Sequence, residues 1–171
     1  RFGLGSPTHL GLSREKRGLV PTTQWKLLNK KEPWQLGETI SASIGQGFNL
    51  VTPIQQAVMM AAVANGGTLL KPYLIKRIEG SEGQVQKEFF PEIVGRVGVD
   101  PDHLEQVRKA LRDVVNGARG TGKKSRMKDI VVSGKTGTAQ VVRMKSNEEL
   151  EKGEVIPLKY RDHAWFVAFA P

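Results

Sequence analysis

The sequence predicts a mixed α/β (α+β) fold, an antiparallel sheet flanked by helices. Three observations carry that expectation. Segments 52–67 and 101–116 place helix start and stop signals around apolar stretches. Segments 130–142 and 164–170 are apolar runs of strand length, rich in β-branched and aromatic residues. The stretch between those runs is half charged, so they are expected to be antiparallel neighbours joined by a solvated excursion.

The 171 residues favour one domain of ordinary size, and 39% hydrophobic content with 19 glycines is normal for a globular chain. A disordered tail, a collagen-like repeat and a coiled coil are excluded. The formal charge of +9 permits an anionic partner. With no cysteine, disulfides, thiolate-held zinc, iron–sulfur clusters and thiol catalysis are excluded. The longest strictly apolar run, 57–64, falls far short of the roughly 20 residues that span a bilayer. The chain opens at Arg1 without a signal-peptide pattern and stops at Pro171 straight after an apolar run. It is therefore expected to be a piece of a larger protein, with 1–171 forming part of one domain.

Residues 1–39, rich in Gly, Pro, Ser and Lys without a sustained period, read as a long irregular surface segment. The first helix then has Thr52 as N-cap, Pro53 at its first position and Gln55 completing a capping box. Its run 57–64 is apolar all round, which predicts a largely buried helix. Asn65, Gly66 and Gly67 end it. Residues 68–99 read as strands and turns, with 73–75 and 84–86 flanking an exposed hairpin turn at 79–83. Asp100 caps the second helix, Pro101 opens it and Gly117 ends it. Its apolar stripe is Leu104, Val107, Leu111, Val114 and Val115, opposite Arg108, Lys109 and Arg112. A basic glycine-rich loop, 117–129, leads into the strand 130–142. In the charged excursion, Ser146 and Glu149 form another capping-box pattern and predict a short helix ending near Gly153. The closing strand, 164–170, is expected to be buried on both faces.

The strand 130–142 holds two glycines, which cost β-stability and pack nothing. Their usual reason is a close backbone approach by a ligand or another chain. Side chains alternate along a strand, so Ser133, Lys135, Gly137 and Ala139 share one face and Gly134, Thr136 and Thr138 the other. An ammonium and two threonine hydroxyls on a glycine-cleared strand suit a carboxylate or oxyanion. An ordinary edge strand with a solvated lysine explains the composition equally well.

Two segments approach the phosphate-loop pattern and miss it. The spacing from Gly117 to Gly122-Lys123 is right, but Lys124 stands where a magnesium-binding hydroxyl belongs, and the loop follows a helix. Gly134-Lys135-Thr136 has the closing triplet, but Asp129 stands at the first glycine position. The eight Lys and Arg residues within 108–128 lack interleaved aromatics or a nucleic-acid module, so a solvated basic face is expected. A non-enzymatic basic module for nucleic acid or an anionic membrane surface is the competing functional class. His9, His103 and His163 show no metal spacing. His163 follows Asp162 at the start of the last strand, where a structural role is expected.

Lys135-Thr136-Gly137 is a K-T-G element. It sits within Ser133-Gly134-Lys135-Thr136-Gly137-Thr138-Ala139-Gln140 and is preceded by Ile44-Gly45-Gln46-Gly47, Thr52-Pro53-Ile54-Gln55 and Ala64-Asn65-Gly66-Gly67. It is followed by a run from Arg161 to Pro171. The series resembles the transpeptidase domain of class B penicillin-binding proteins over nearly the whole chain. The segments 2–5, 18–21 and 32–34 make it most similar to the elongation-specific type, penicillin-binding protein 2. The S-x-x-K that bears the family's nucleophile is missing from any capped apolar helix. Ser13–Lys16 and Ser125–Lys128 match the spacing only in polar, irregular segments.

The resemblance implies a serine β-lactamase/transpeptidase-like fold present only in part, with the nucleophile outside the 171 residues. It implies a serine D,D-transpeptidase that attacks the D-Ala-D-Ala end of a peptidoglycan stem peptide and is acylated by β-lactams. Lys135 and Thr138 are the implied catalytic residues: Lys135 supplies positive potential and the Thr138 N–H is an oxyanion donor. Thr136, Gly137 and Thr138 are the implied substrate-binding residues. No cofactor or metal and no nucleic-acid partner is implied. The implied partners are the rest of the same domain and a membrane glycosyltransferase of the elongation machinery. The implied location is an inner-membrane-anchored parent with this domain on the periplasmic side. The 171 residues alone are expected to be inactive.

Overall fold

The computed structural model describes residues 2–140, 157–158 and 161–171. Helices α1 (Thr23–Lys30), α2 (Leu36–Ser43) and α3 (Pro53–Ala64) come first. Strands β1 (Thr68–Lys71), β2 (Arg77–Glu79), β3 (Val85–Glu88) and β4 (Glu92–Arg96) follow. Then come α4 (Pro101–Asn116), a 3-10 turn (Lys123–Ser125) and strands β5 (Ser133–Ala139) and β6 (His163–Phe169). Among the described residues the strands form three antiparallel pairs: β1 with β4, β2 with β3, and β5 with β6.

The capped helices form where their signals stand. In α3, Thr52 Oγ1 accepts from the Gln55 N–H, and Gln55 Oε1 accepts from the Thr52 N–H at 2.9 Å. In α4, Asp100 caps the start and Gly117 the end. Ala62 of α3, Leu104 of α4 and Val97 after β4 form a small core, with Phe2 and Leu69 against it.

The sequence reading is corrected at five places. Residues 1–39 are not all irregular: α1 and α2 lie at 23–30 and 36–43, α2 running on to Ser43. Each has only eight residues, too short for a period to declare itself, and tertiary contacts hold both. Lys26 is 2% exposed and places its ammonium 2.6 Å from Glu38 Oε1 at the start of α2. The hairpin's first strand is Arg77–Glu79 rather than 73–75, because the tight turn at Gly80 and Gly83 sets the pairing to β3. Helix α3 is one-sided. Gln55, Met60, Ala62 and Val63 are buried, while Ala57 and Ala61 face out. The site strand begins at Ser133, three residues later than expected. Finally, β6 is only half-buried at alternate positions, since among the described residues it has one strand neighbour and a single covered face. The helix expected within 146–153 lies outside the described residues.

Candidate active site

Strand β5 is paired to β6 residue for residue, Ser133 opposite Phe169 through Ala139 opposite His163. This bears out the antiparallel placement of the two runs over their described parts. The strand is propped by α4 and the loop after it. Asn116, the last residue of α4, donates its side-chain amide to the Val132 carbonyl at 2.8 Å. The Arg126 guanidinium donates to the Asn116 carbonyl at 2.6 Å, and the Gly122 N–H to the Val114 carbonyl at 2.8 Å. The basic loop is thus folded back on the end of α4.

That loop carries a residue the sequence did not single out. Thr121 Oγ1 lies 3.0 Å from Thr136 Oγ1. Thr136 therefore faces the loop, and alternation puts the exposed Thr138 on the same face. Lys135 starts from the opposite face, but its ammonium reaches the strand's side and donates to the Thr136 carbonyl at 2.6 Å.

The outer side of β5 has its own chemistry. In an antiparallel pair, the N–H and C=O of one residue point to the same edge. Gln46, in the loop after α2, donates its side-chain amide to the Thr138 carbonyl at 3.0 Å. Thr138, and by alternation Thr136, therefore turn their backbone groups away from β6. The Thr138 N–H lies on that same edge, and so does the carbonyl that Lys135 meets.

The two glycines of β5 have different reasons. A Cβ on Gly134 would stand 2.8 Å from the Ala168 Cβ, 2.8 Å from the Val167 carbonyl and 2.9 Å from the Phe166 ring. The close approach there is β6 itself. A Cβ on Gly137 would meet only the Trp165 Cβ, at an ordinary contact distance of 3.8 Å, so β6 does not require a glycine there. Lys135, Thr136, Gly137 and Thr138 are thus brought together along one exposed strand. His163 opens β6 opposite Ala139 and is exposed. Ser125 closes a 3-10 turn and Ser13 lies in a turn, so neither opens an α-helix.

A strand with an exposed ammonium, two hydroxyls, an outward N–H and a cleared backbone can bind a carboxylate and polarise a carbonyl. It carries no activated nucleophile.

The model for the penicillin binding protein transpeptidase domain matches residues 1–171. The chain is 37% identical over 174 residues to the peptidoglycan D,D-transpeptidase MrdA of Haemophilus influenzae, covering 99% of this chain and 26% of that protein. Among solved structures, Pseudomonas aeruginosa PBP2 in complex with WCK 5153 matches with a TM-score of 0.75 and 33% identity, over 98% of this chain and 33% of that one. The complex between PBP2 and MreC from Helicobacter pylori matches with a TM-score of 0.73 and 28% identity, over 98% of this chain and 27% of that one. The chain spans about a quarter to a third of the length of these relatives.

Proposed function

Because the chain belongs to the penicillin-binding protein transpeptidase family, we propose that it is the K-T-G-bearing part of a peptidoglycan D,D-transpeptidase. The reaction runs through a serine acyl-enzyme. A serine outside these residues attacks the penultimate D-Ala carbonyl of a stem peptide, the peptide bond breaks, and D-Ala leaves. The amine of a second stem then attacks the ester, releases the serine and forms the cross-link. A β-lactam enters the same first step, its ring amide opening onto the serine.

The observation that carries this reading is the outer edge of β5, where the Lys135 ammonium meets the Thr136 carbonyl and the Thr138 backbone faces away from β6. In this role Lys135 supplies positive potential, and the Thr136 and Thr138 hydroxyls hold the substrate carboxylate. The Thr138 N–H is one donor to the oxyanion, and a single such donor is worth about 3 kcal/mol. Gly137 lets the ligand's backbone come close.

Residues 1–171 are proposed as part of one domain, with the nucleophile on the remainder. Leu36, Ile40 and Ile44, spaced four apart on and just after α2, are 81%, 65% and 74% exposed. The remainder of the domain is the natural cover for that apolar stripe. By kinship with PBP2, the parent is proposed to be anchored in the inner membrane with this domain in the periplasm, beside a membrane glycosyltransferase of the elongation machinery. No helix among the described residues is long and apolar enough to cross a membrane.

Labelling with fluorescent penicillin tests the proposal. The intact parent should be labelled covalently at a serine outside this chain, and the 171 residues alone should not be labelled. Lys135→Ala in the parent should slow acylation by about a hundredfold, or 2.7 kcal/mol of barrier, with folding intact. A rate within about threefold of wild type would remove Lys135 from the mechanism.

A further inference from the structure

Gln46 has no role in the reaction as set out so far, yet it makes a direct contact with the site strand. Its side-chain amide donates to the Thr138 carbonyl across 92 positions of sequence. The loop that presents it is fixed from several sides. Gly45 and Gly47, on either side, have φ of +78° and +70°, a backbone shape that glycine adopts without strain. The Gln46 N–H donates to the Ser41 carbonyl at 2.9 Å. The Asn49 side-chain amide donates to both the Ala42 and Gln46 carbonyls, at 3.1 and 2.9 Å. The Gln46 side chain thus leaves a built turn.

The partner it meets needs holding. Gly137, just before Thr138, has no side chain to limit its dihedral angles, and a Cβ there would meet nothing closer than the Trp165 Cβ at 3.8 Å. That freedom acts on the peptide unit whose N–H belongs to Thr138. A second anchor on Thr138, from an element other than β6, restricts it. A carbonyl oxygen has two lone pairs, so Gln46 also leaves one free for a ligand's amide.

We propose that Gln46 is a positioning residue of the transpeptidase site: by holding the Thr138 carbonyl it fixes the backbone of Thr138 from the C-terminal side, so that the N–H of the preceding peptide unit points at the developing oxyanion. The inference rests on the reaction proposed above. It assigns a function to the Ile44–Gly45–Gln46–Gly47 turn, which touches neither nucleophile nor carboxylate in that scheme.

The test uses the intact parent and a penicillin. Wild type is measured first; failure of wild type to acylate would sink the proposed reaction itself, before Gln46 is reached. Given acylation, Q46A should lower the acylation rate constant about tenfold and change the non-covalent dissociation constant less than twofold. The ester carbonyl band of the acyl-enzyme should move to higher wavenumber in infrared difference spectra, since a misaimed N–H polarises it less. Q46M keeps the length of the side chain and removes the donor, so it should reproduce both effects with the wild-type melting temperature; it decides the matter where Q46A is poorly folded. A rate within twofold of wild type with an unmoved carbonyl band would overturn the assignment. So would a faster rate, which would make Gln46 a competitor for the Thr138 carbonyl.

Discussion

The hydroxyls of Thr121 and Thr136 lie 3.0 Å apart, joining the loop after α4 to the middle of the K-T-G strand. Either can donate to the other, so Thr121 fixes where the Thr136 hydroxyl points. In the intact parent protein, Thr136→Val should weaken non-covalent β-lactam binding about tenfold, because a hydrogen bond to a charged group is worth roughly 1.5–3 kcal/mol. Thr121→Val should cost only two- to threefold, since it loosens the hydroxyl without removing it. Stopped-flow acylation at varied penicillin concentration separates this binding constant from the rate. Equal losses for the two variants would mean that Thr121 itself contacts the ligand.

The two glycines of β5 should respond differently to the same change. Gly134→Ala drives a methyl into Phe166 and Ala168 of β6 and should destabilise the fold by about 1–3 kcal/mol, as overpacking does. Gly137→Ala meets only the Trp165 Cβ at 3.8 Å and should leave the melting temperature within a degree or two. Its effect should instead appear in acylation, where the methyl stands in the ligand's path. Thermal melts and labelling rates on the two variants check the pair.

Gln55 does more than complete a capping box. It is 1% exposed, and its amide also donates to the Ser6 and Arg17 carbonyls at 2.8 Å each. Thr52→Ala removes one cap and should cost about 1 kcal/mol. Gln55→Ala strands two carbonyls and an N–H and should cost about 3 kcal/mol. It should also expose the 2–20 segment to limited proteolysis. Chemical denaturation and proteolysis of the intact protein test both; equal costs would contradict the anchoring role.

Acid should loosen α2. The Gln35 N–H at 2.7 Å, and then Lys26, hold the Glu38 carboxyl below its usual range. A carboxyl with a lowered folded pKa stabilises fully above its unfolded value, about 4.3, and loses that stabilisation as pH falls through the lower folded value. Hydrogen-exchange protection of the 36–43 amides should therefore be level above about pH 5 and fall below pH 4. Glu38→Gln should flatten that dependence. Lys26→Ala, which removes the cation beside Glu38, should lower the protection of the same amides at neutral pH.

Much of the site strand was legible because its signals are local. Lys135, Thr136, Gly137 and Thr138 are adjacent, and the apolar run of β6 announces its partner. Helices α3 and α4 were legible because Thr52-Pro53 and Asp100-Pro101 mark their starts and their apolar residues recur for three or more turns. Helices α1 and α2 were not. The cap of α2 is Gln35, outside the usual Ser, Thr, Asp and Asn set, and its apolar residues face outward. The ion pair that stabilises both helices joins Lys26 to Glu38, and no periodicity encodes it. Thr121 and Gln46 escaped for the same reason: each reaches β5 from another part of the chain. Glycine alone could not say whether Gly134 makes room for a ligand or for β6.

The outer side of β5 has a cost that catalysis does not show. A strand left unpaired on one side is a template for any extended chain, including another copy of itself. Here the Thr136 and Thr138 carbonyls are met by the Lys135 ammonium and the Gln46 amide instead of by a neighbouring strand. A charged lysine at an open edge is a common natural guard against sheet-to-sheet association. The side chains proposed to serve the reaction, Lys135 and Gln46, are thus also the ones that cover the carbonyls of this edge, so solubility and the proposed chemistry draw on the same few atoms.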